Sequence, residues 1–222
     1  TSQPSPQEFL DIFEEVKEKQ ETLICLSLSS KLSGTYQSAC LAKDMVDYEN
    51  IYIVDTLTAA AGIRLLCEVA MNWIGENRSV ESIVSGLEEL KERVHIYAGL
   101  DTLEYLAKGG RISKTAAAIG TLASIKPIIC TDHGEVAVAG KTRGVNKATS
   151  IVCEKMQADI VDTLYPVYTL YSYGLENVEK LESKLDCDVE RVRIGSTIGV
   201  HIGPNAFGVC FVGKLLVVTH EK

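Results

Sequence analysis

The sequence predicts a mixed α/β fold. Short apolar runs of strand length alternate with longer stretches whose apolar residues recur at helical spacing. Of the 222 residues, 46% are hydrophobic, enough for one large core or two small ones. Glycine-containing turns punctuate the alternation, which is how crossover connections between parallel strands read.

Taken in order, the elements begin with a proline-bounded helix from Ser5 to Lys19 that carries Phe9, Leu10, Phe13 and Val16 on one face. Thr22–Leu28 is a mostly apolar run of the kind a covered parallel strand shows. Ile51–Asp55 and His95–Gly99 are further strands, separated by helices near Thr35–Tyr48, Thr58–Ile74 and Val80–Arg93, so a parallel α/β pattern is expected up to Gly99. Beyond it a short helix, Leu103–Lys108, stops at Gly109-Gly110, and another spans Lys114–Ala123. Ile125–Thr131 and Glu135–Val138 form a hairpin through Asp132-His133-Gly134. A helix Val145–Ala158, a strand Val167–Tyr171, a helix Leu175–Leu185, a strand Val189–Ile194 and a last strand Val209–Phe211 complete the chain. The change of character near Asp101 suggests a boundary between units 19–100 and 101–222.

Composition narrows the function. With 22 basic and 30 acidic residues the net charge is −8, and there is no basic run, which argues against a nucleic-acid backbone as ligand. No stretch approaches the ~20 apolar residues of a membrane span. The seven cysteines are scattered without a C-x-x-C pair, mostly in apolar surroundings. They read as reduced residues of a cytoplasmic protein rather than a disulfide framework or zinc site. Asn77-Arg78-Ser79 matches a glycosylation sequon, a pattern short enough to recur by chance.

The most informative stretch is Ser29-Ser30-Lys31-Leu32-Ser33-Gly34-Thr35-Tyr36, which joins a strand to a helix through a hydroxyl-rich turn. The first backbone N–H groups of a helix lack partners within it, and the helix dipole favours negative charge there. Ser33, Gly34 and Thr35 can supply hydroxyls and close backbone approach to a carboxylate or phosphate. On the motif alone the favoured reading is that Ser33 or Thr35 merely caps the helix, the commoner fate of such residues.

Three more segments stand beside this one: Thr1-Ser2-Gln3-Pro4-Ser5-Pro6, Asp101 to Ser113 with its Lys108-Gly109-Gly110-Arg111, and His201-Ile202-Gly203-Pro204. Together they resemble the DegV family, whose characterised members are the fatty-acid-binding subunits of bacterial fatty acid kinase. The four segments occur in the family's order and span nearly the whole chain. The family normally carries a first βα unit ahead of the Thr-Ser-Gln-Pro segment, which this sequence lacks, and a further glycine where Asn205 stands.

The resemblance implies two α/β domains of the DegV type, an EDD-like fold, with the ligand's head group at their interface and helix 1–18 joining the C-terminal domain. It implies that Thr1, Ser33 and the Gly34 amide contact a fatty-acid carboxylate, with His201 hydrogen-bonding beside it. Arg111 and Arg143 are implied to engage the kinase subunit, or to steady a phosphate, since arginine pairs bidentately with phosphate. Tyr36 and Lys126-Pro127 are family-like positions of architectural type. The protein would bind a long-chain fatty acid and present its carboxylate to a separate ATP-binding subunit, as a carrier rather than an enzyme and without a cofactor. Burying a palmitoyl-length tail contributes on the order of 10 kcal/mol gross, at about 0.8 kcal/mol per methylene, before the ordering costs.

A rival reading is a serine hydrolase, with Ser33 as nucleophile, His201 as base and Asp55 or Asp101 behind it. The G-x-S-x-G elbow is absent. A nucleotide-binding reading finds neither a Walker nor a G-x-G-x-x-G pattern.

Overall fold

The computed structural model describes residues 1–113 and 125–214. The expected helix Lys114–Ala123 lies outside the described residues.

Helix α1 (Pro6–Glu18) starts at a capping box in which Ser5 and Glu8 satisfy each other's backbone N–H groups, with proline at its first turn. Its buried residues Leu10, Phe13 and Val16 pack against Ala39, Ala42 and Val46 of α2 (Thr35–Val46), and the Lys17 ammonium donates to the carbonyl of Val46 at 2.7 Å. The sequence reading joined this helix to the C-terminal unit. The structure corrects that: the small alanines of α2 leave a groove wide enough for Phe13, so α1 lies on α2.

Strands β1 (Leu23–Ser27) and β2 (Ile51–Asp55) form a parallel two-stranded sheet, Leu23 opposite Ile51 and Ser27 opposite Asp55. Leu23, Cys25, Ile51 and Ile53 pack with the α1–α2 layer, while Ile24 and Leu26 pack with α3 (Ala61–Gly75) and α4 (Val80–Leu90). This is the two-faced burial expected of a parallel sheet.

The other six strands make one sheet in the order β5-β4-β3-β8-β6-β7, namely β3 (Val94–Gly99), β4 (Ile125–Asp132), β5 (Glu135–Arg143), β6 (Tyr168–Tyr171), β7 (Glu190–Arg193) and β8 (Phe207–Val212). Strand β3 is antiparallel to both neighbours, β4 and β8. The expected continuation of the parallel pattern through His95–Gly99 is therefore corrected, and β3 belongs with the residues after Asp101. The reason is burial: Val94, Ile96 and Ala98 on one face meet α3 and α4, and the opposite face of the sheet is covered by Val152 and Met156 of α6 (Val145–Ala158) and by Val178 and Leu181 of α7 (Glu176–Glu182). Phe207, Val209 and Phe211 of β8 fill that second core. A helix absent from the sequence reading, α8 (Ser196–Ile202), precedes β8, and α5 (Glu104–Lys108) follows β3, so both stand at the same end of the sheet.

Candidate functional site

The loops that leave β1 and β2 at their carboxyl ends, Leu28–Gly34 and Thr56–Ala60, project over one face of the six-stranded sheet. Crevices at that position are where open α/β sheets bind ligands. Here they roof a cavity of about 710 Å³. Its floor is Ile96, Ala98, Ile129 and Leu170 from the sheet, and its walls include Leu28, Leu32, Leu106, Val136, Ile194, Ile198 and Ile202. Most of the lining is apolar.

Most of the polar residues gather at one end. Thr1 Oγ1 lies 2.9 Å from His201 Nε2. Ser33 Oγ is 2.8 Å from Thr35 Oγ1 and accepts the Thr35 N–H at 3.3 Å, and both residues line the cavity beside the Gly34 N-cap of α2. Arg111 also lines the cavity, held by hydrogen bonds from its guanidinium to the carbonyls of Leu32 and Gly109. Burial, the neighbouring Arg111 charge and the N-terminal ammonium push the His201 imidazole below its ordinary pKa and so favour its neutral form.

Two glycines are required by close approach. A methyl group on Gly109 would stand 2.2 Å from His201 Nδ1, so this residue, read from sequence as a helix stop, also seats the histidine ring. A methyl on Gly34 would stand 1.9 Å from the Gln3 carboxamide, whose nitrogen donates to Ser38 Oγ at 3.1 Å. Gly34 thus lets the N-terminal segment lie across the start of α2 and bring Thr1 to His201. It is not among the residues that line the cavity. Arg143 is exposed at the end of β5, opposite Ile125, outside the cavity.

The hydrolase reading finds no assembled triad. Ser33 bonds to Thr35, His201 Nε2 is taken by Thr1, and His201 Nδ1 is buried without a hydrogen-bond partner among the described residues. Asp55 accepts the N–H groups of Ser30 and Leu57, and Asp101 is paired with Lys126 at 2.6 Å and Asn205 at 2.9 Å. Neither carboxylate stands behind the imidazole. No group of His, Cys, Asp and Glu side chains among the described residues is arranged to hold a metal ion.

Residues 1–214 match the sequence profile of the DegV family. The chain belongs to the DegV family. A DegV domain-containing protein of Caldanaerobacter subterraneus is 36% identical over 220 residues, which are 96% of this chain and 79% of that protein. Among solved structures, a fatty-acid-binding DegV family protein of Thermus thermophilus superposes with a TM-score of 0.85 at 31% identity, covering 96% of this chain and 78% of that one. A stearic-acid-binding protein of Eubacterium ventriosum gives a TM-score of 0.84 at 26% identity, covering 96% and 78%. The mixed α/β architecture of this DegV protein is therefore the family's. Asn205, where the family resemblance led us to expect glycine, adopts φ 60. Asparagine tolerates that left-handed conformation better than other side chains, so the turn after α8 is kept.

Sequence reasoning missed most of the cavity. Thr131, Thr197 and the apolar floor carry no motif, because their convergence depends on strand order. Helix α8 was missed because Ser196-Thr197-Ile198-Gly199-Val200 is rich in β-branched residues and glycine, which disfavour helix.

Proposed function

We propose that this DegV protein binds a long-chain fatty acid, tail in the apolar cavity and carboxylate at Thr1, Ser33 and His201, and presents that carboxylate to a separate ATP-binding kinase subunit for conversion to an acyl phosphate. The observation that carries the reading is the pairing of a large, mainly apolar cavity with an end where the Thr1 and Ser33 hydroxyls and the His201 imidazole meet. Such a site suits one charged head on an inert tail. The fatty-acid-binding relatives support it.

In this reading the protein supplies grip and orientation and no nucleophile of its own. Arg111, tied to Leu32 at the rim, and Arg143, at the sheet end shared with α5 and α8, face the kinase subunit. All seven cysteines are free, which fits work in the cytoplasm. Mass spectrometry of lipid extracted from the purified protein tests the first half: a long-chain fatty acid at near-stoichiometric amount is expected, and protein that carries none and takes up none from a mixture overturns it. Acyl phosphate formed only when kinase subunit, ATP and this protein are combined tests the second half. Kinase activity on free acid without this protein contradicts it.

A further inference from the structure

The register of the sheet gives the cavity a direction. Its polar end lies where β3 finishes and β8 begins, because Gly99 pairs with Phe207, α8 leads into β8, and His201 rests on Gly109 just after α5. From there the cavity descends β3 past Ala98, which pairs with Gly208, to Ile96, which pairs with Cys210. At ~3.3 Å per residue, the step from Gly99 to Ile96 is about 10 Å. Lower still, Val94, His95 and Lys91 belong to a different recess of about 270 Å³, whose other walls include Asp132 and His133.

The two spaces share Cys130 and Thr131. Cys130 pairs with Tyr97, whose ring packs in the core on the far face of the sheet, so its side chain points away from the cavity. Thr131 pairs with Val136, which packs on the cavity face, so the Thr131 side chain is the one that stands between the spaces. Its hydroxyl is buried and has no hydrogen-bond partner among the described residues. A threonine there contributes bulk to the wall and no bond.

We infer that Thr131 is the stop at the tail end of the cavity and sets the longest acyl chain the protein accepts. This rests on the fatty-acid reading and adds its specificity-determining residue. A methyl terminus pushed past Thr131 enters a smaller recess in which Leu57, Val94 and Tyr97 are mixed with Lys91, Glu92, His95, Asp132 and His133, where apolar surface gains less than in the cavity. Shorter chains leave the floor around Ile96 uncovered.

Competitive displacement of a fluorescent fatty acid by lauric, myristic, palmitic, stearic and arachidic acids tests the inference in the full chain. Thr131→Ala is expected to shift the preference toward longer acids, by roughly fourfold in relative affinity for each methylene newly enclosed. Thr131→Leu is expected to shift it toward shorter ones. Thr131→Val keeps the shape and removes only the unpaired hydroxyl, so it should retain the wild-type order. An unchanged order in both Thr131→Ala and Thr131→Leu overturns the inference while wild-type binding leaves the fatty-acid reading standing. Wild-type protein that binds none of the acids overturns that reading, and the inference with it.

Discussion

The Thr1 hydroxyl and the His201 imidazole, two hundred residues apart in the chain, meet at 2.9 Å over the polar end of the cavity. That contact joins the N-terminal segment to the helix before the last strand. It depends on two glycines: Gly34 admits Gln3, and Gly109 admits the His201 ring.

His201 gives the site a pH dependence. Its pKa in the folded protein is held below the ordinary 6.5, first by burial and then by Arg111. A bound carboxylate raises that pKa, so binding takes up a proton, and acid affinity should rise as pH falls from 7 through 6.5 toward the folded value. For the free protein the sign is opposite: below 6.5 the unfolded chain binds the extra proton more readily, so His201 subtracts stability as pH falls. Titration calorimetry between pH 5.5 and 7.5, in wild type and His201→Gln, checks this. A rise in affinity that is identical in the variant contradicts the assignment.

Gly109 and Gly110 separate two effects. Gly109→Ala places a methyl against His201 Nδ1 at an unstrained backbone angle, so it should displace the ring and weaken acid binding by about 1–2 kcal/mol through loss of its hydrogen bonds. Gly110→Ala meets open space but sits at φ 73, so it should lower stability by about 1 kcal/mol and spare binding. Equal binding losses in both variants, measured against their melting curves, would refute the distinction.

Ser33→Ala should weaken acid binding by about 1–3 kcal/mol, the range for a lost charge-assisted hydrogen bond, while leaving the fold intact. Arg111→Ala should spare acid binding and reduce phosphorylation by the kinase subunit. Loss of acid binding in Arg111→Ala, seen in the same displacement assay, would reverse that division of labour.

Phe13 is 1% exposed between α1 and α2. Phe13→Ala should lower stability by about 3–5 kcal/mol, as expected for an aromatic side chain removed from a closed core. Urea unfolding measures it. A loss below 1 kcal/mol would mean that α1 is only loosely docked.

Much of the local structure was legible. Leu23–Ser27 and Ile51–Asp55 are short apolar runs bounded by turn residues, and the capping box at Ser5 announces α1. The hairpin was placed by Asp132-His133-Gly134, with Gly134 at φ 84, although β5 runs on to Arg143. What the chain hid was long-range. Nothing in His95–Gly99 says which sheet it joins, since an apolar strand buried on both faces reads alike in parallel and antiparallel company. At the site, Ser33 was suggested by its place at a helix start. Thr1, His201 and Arg111 were singled out by family resemblance alone, and the cavity floor by nothing in the sequence.

The central claim is that one end of the cavity holds a fatty-acid carboxylate. Titrating the protein with carboxyl-labelled palmitate and following the label by carbon NMR tests it most directly. A single bound carboxyl resonance is predicted, shifted in Ser33→Ala and losing its pH response in His201→Gln. A bound resonance unaltered by either substitution, or no bound resonance with folded protein in excess, would contradict it.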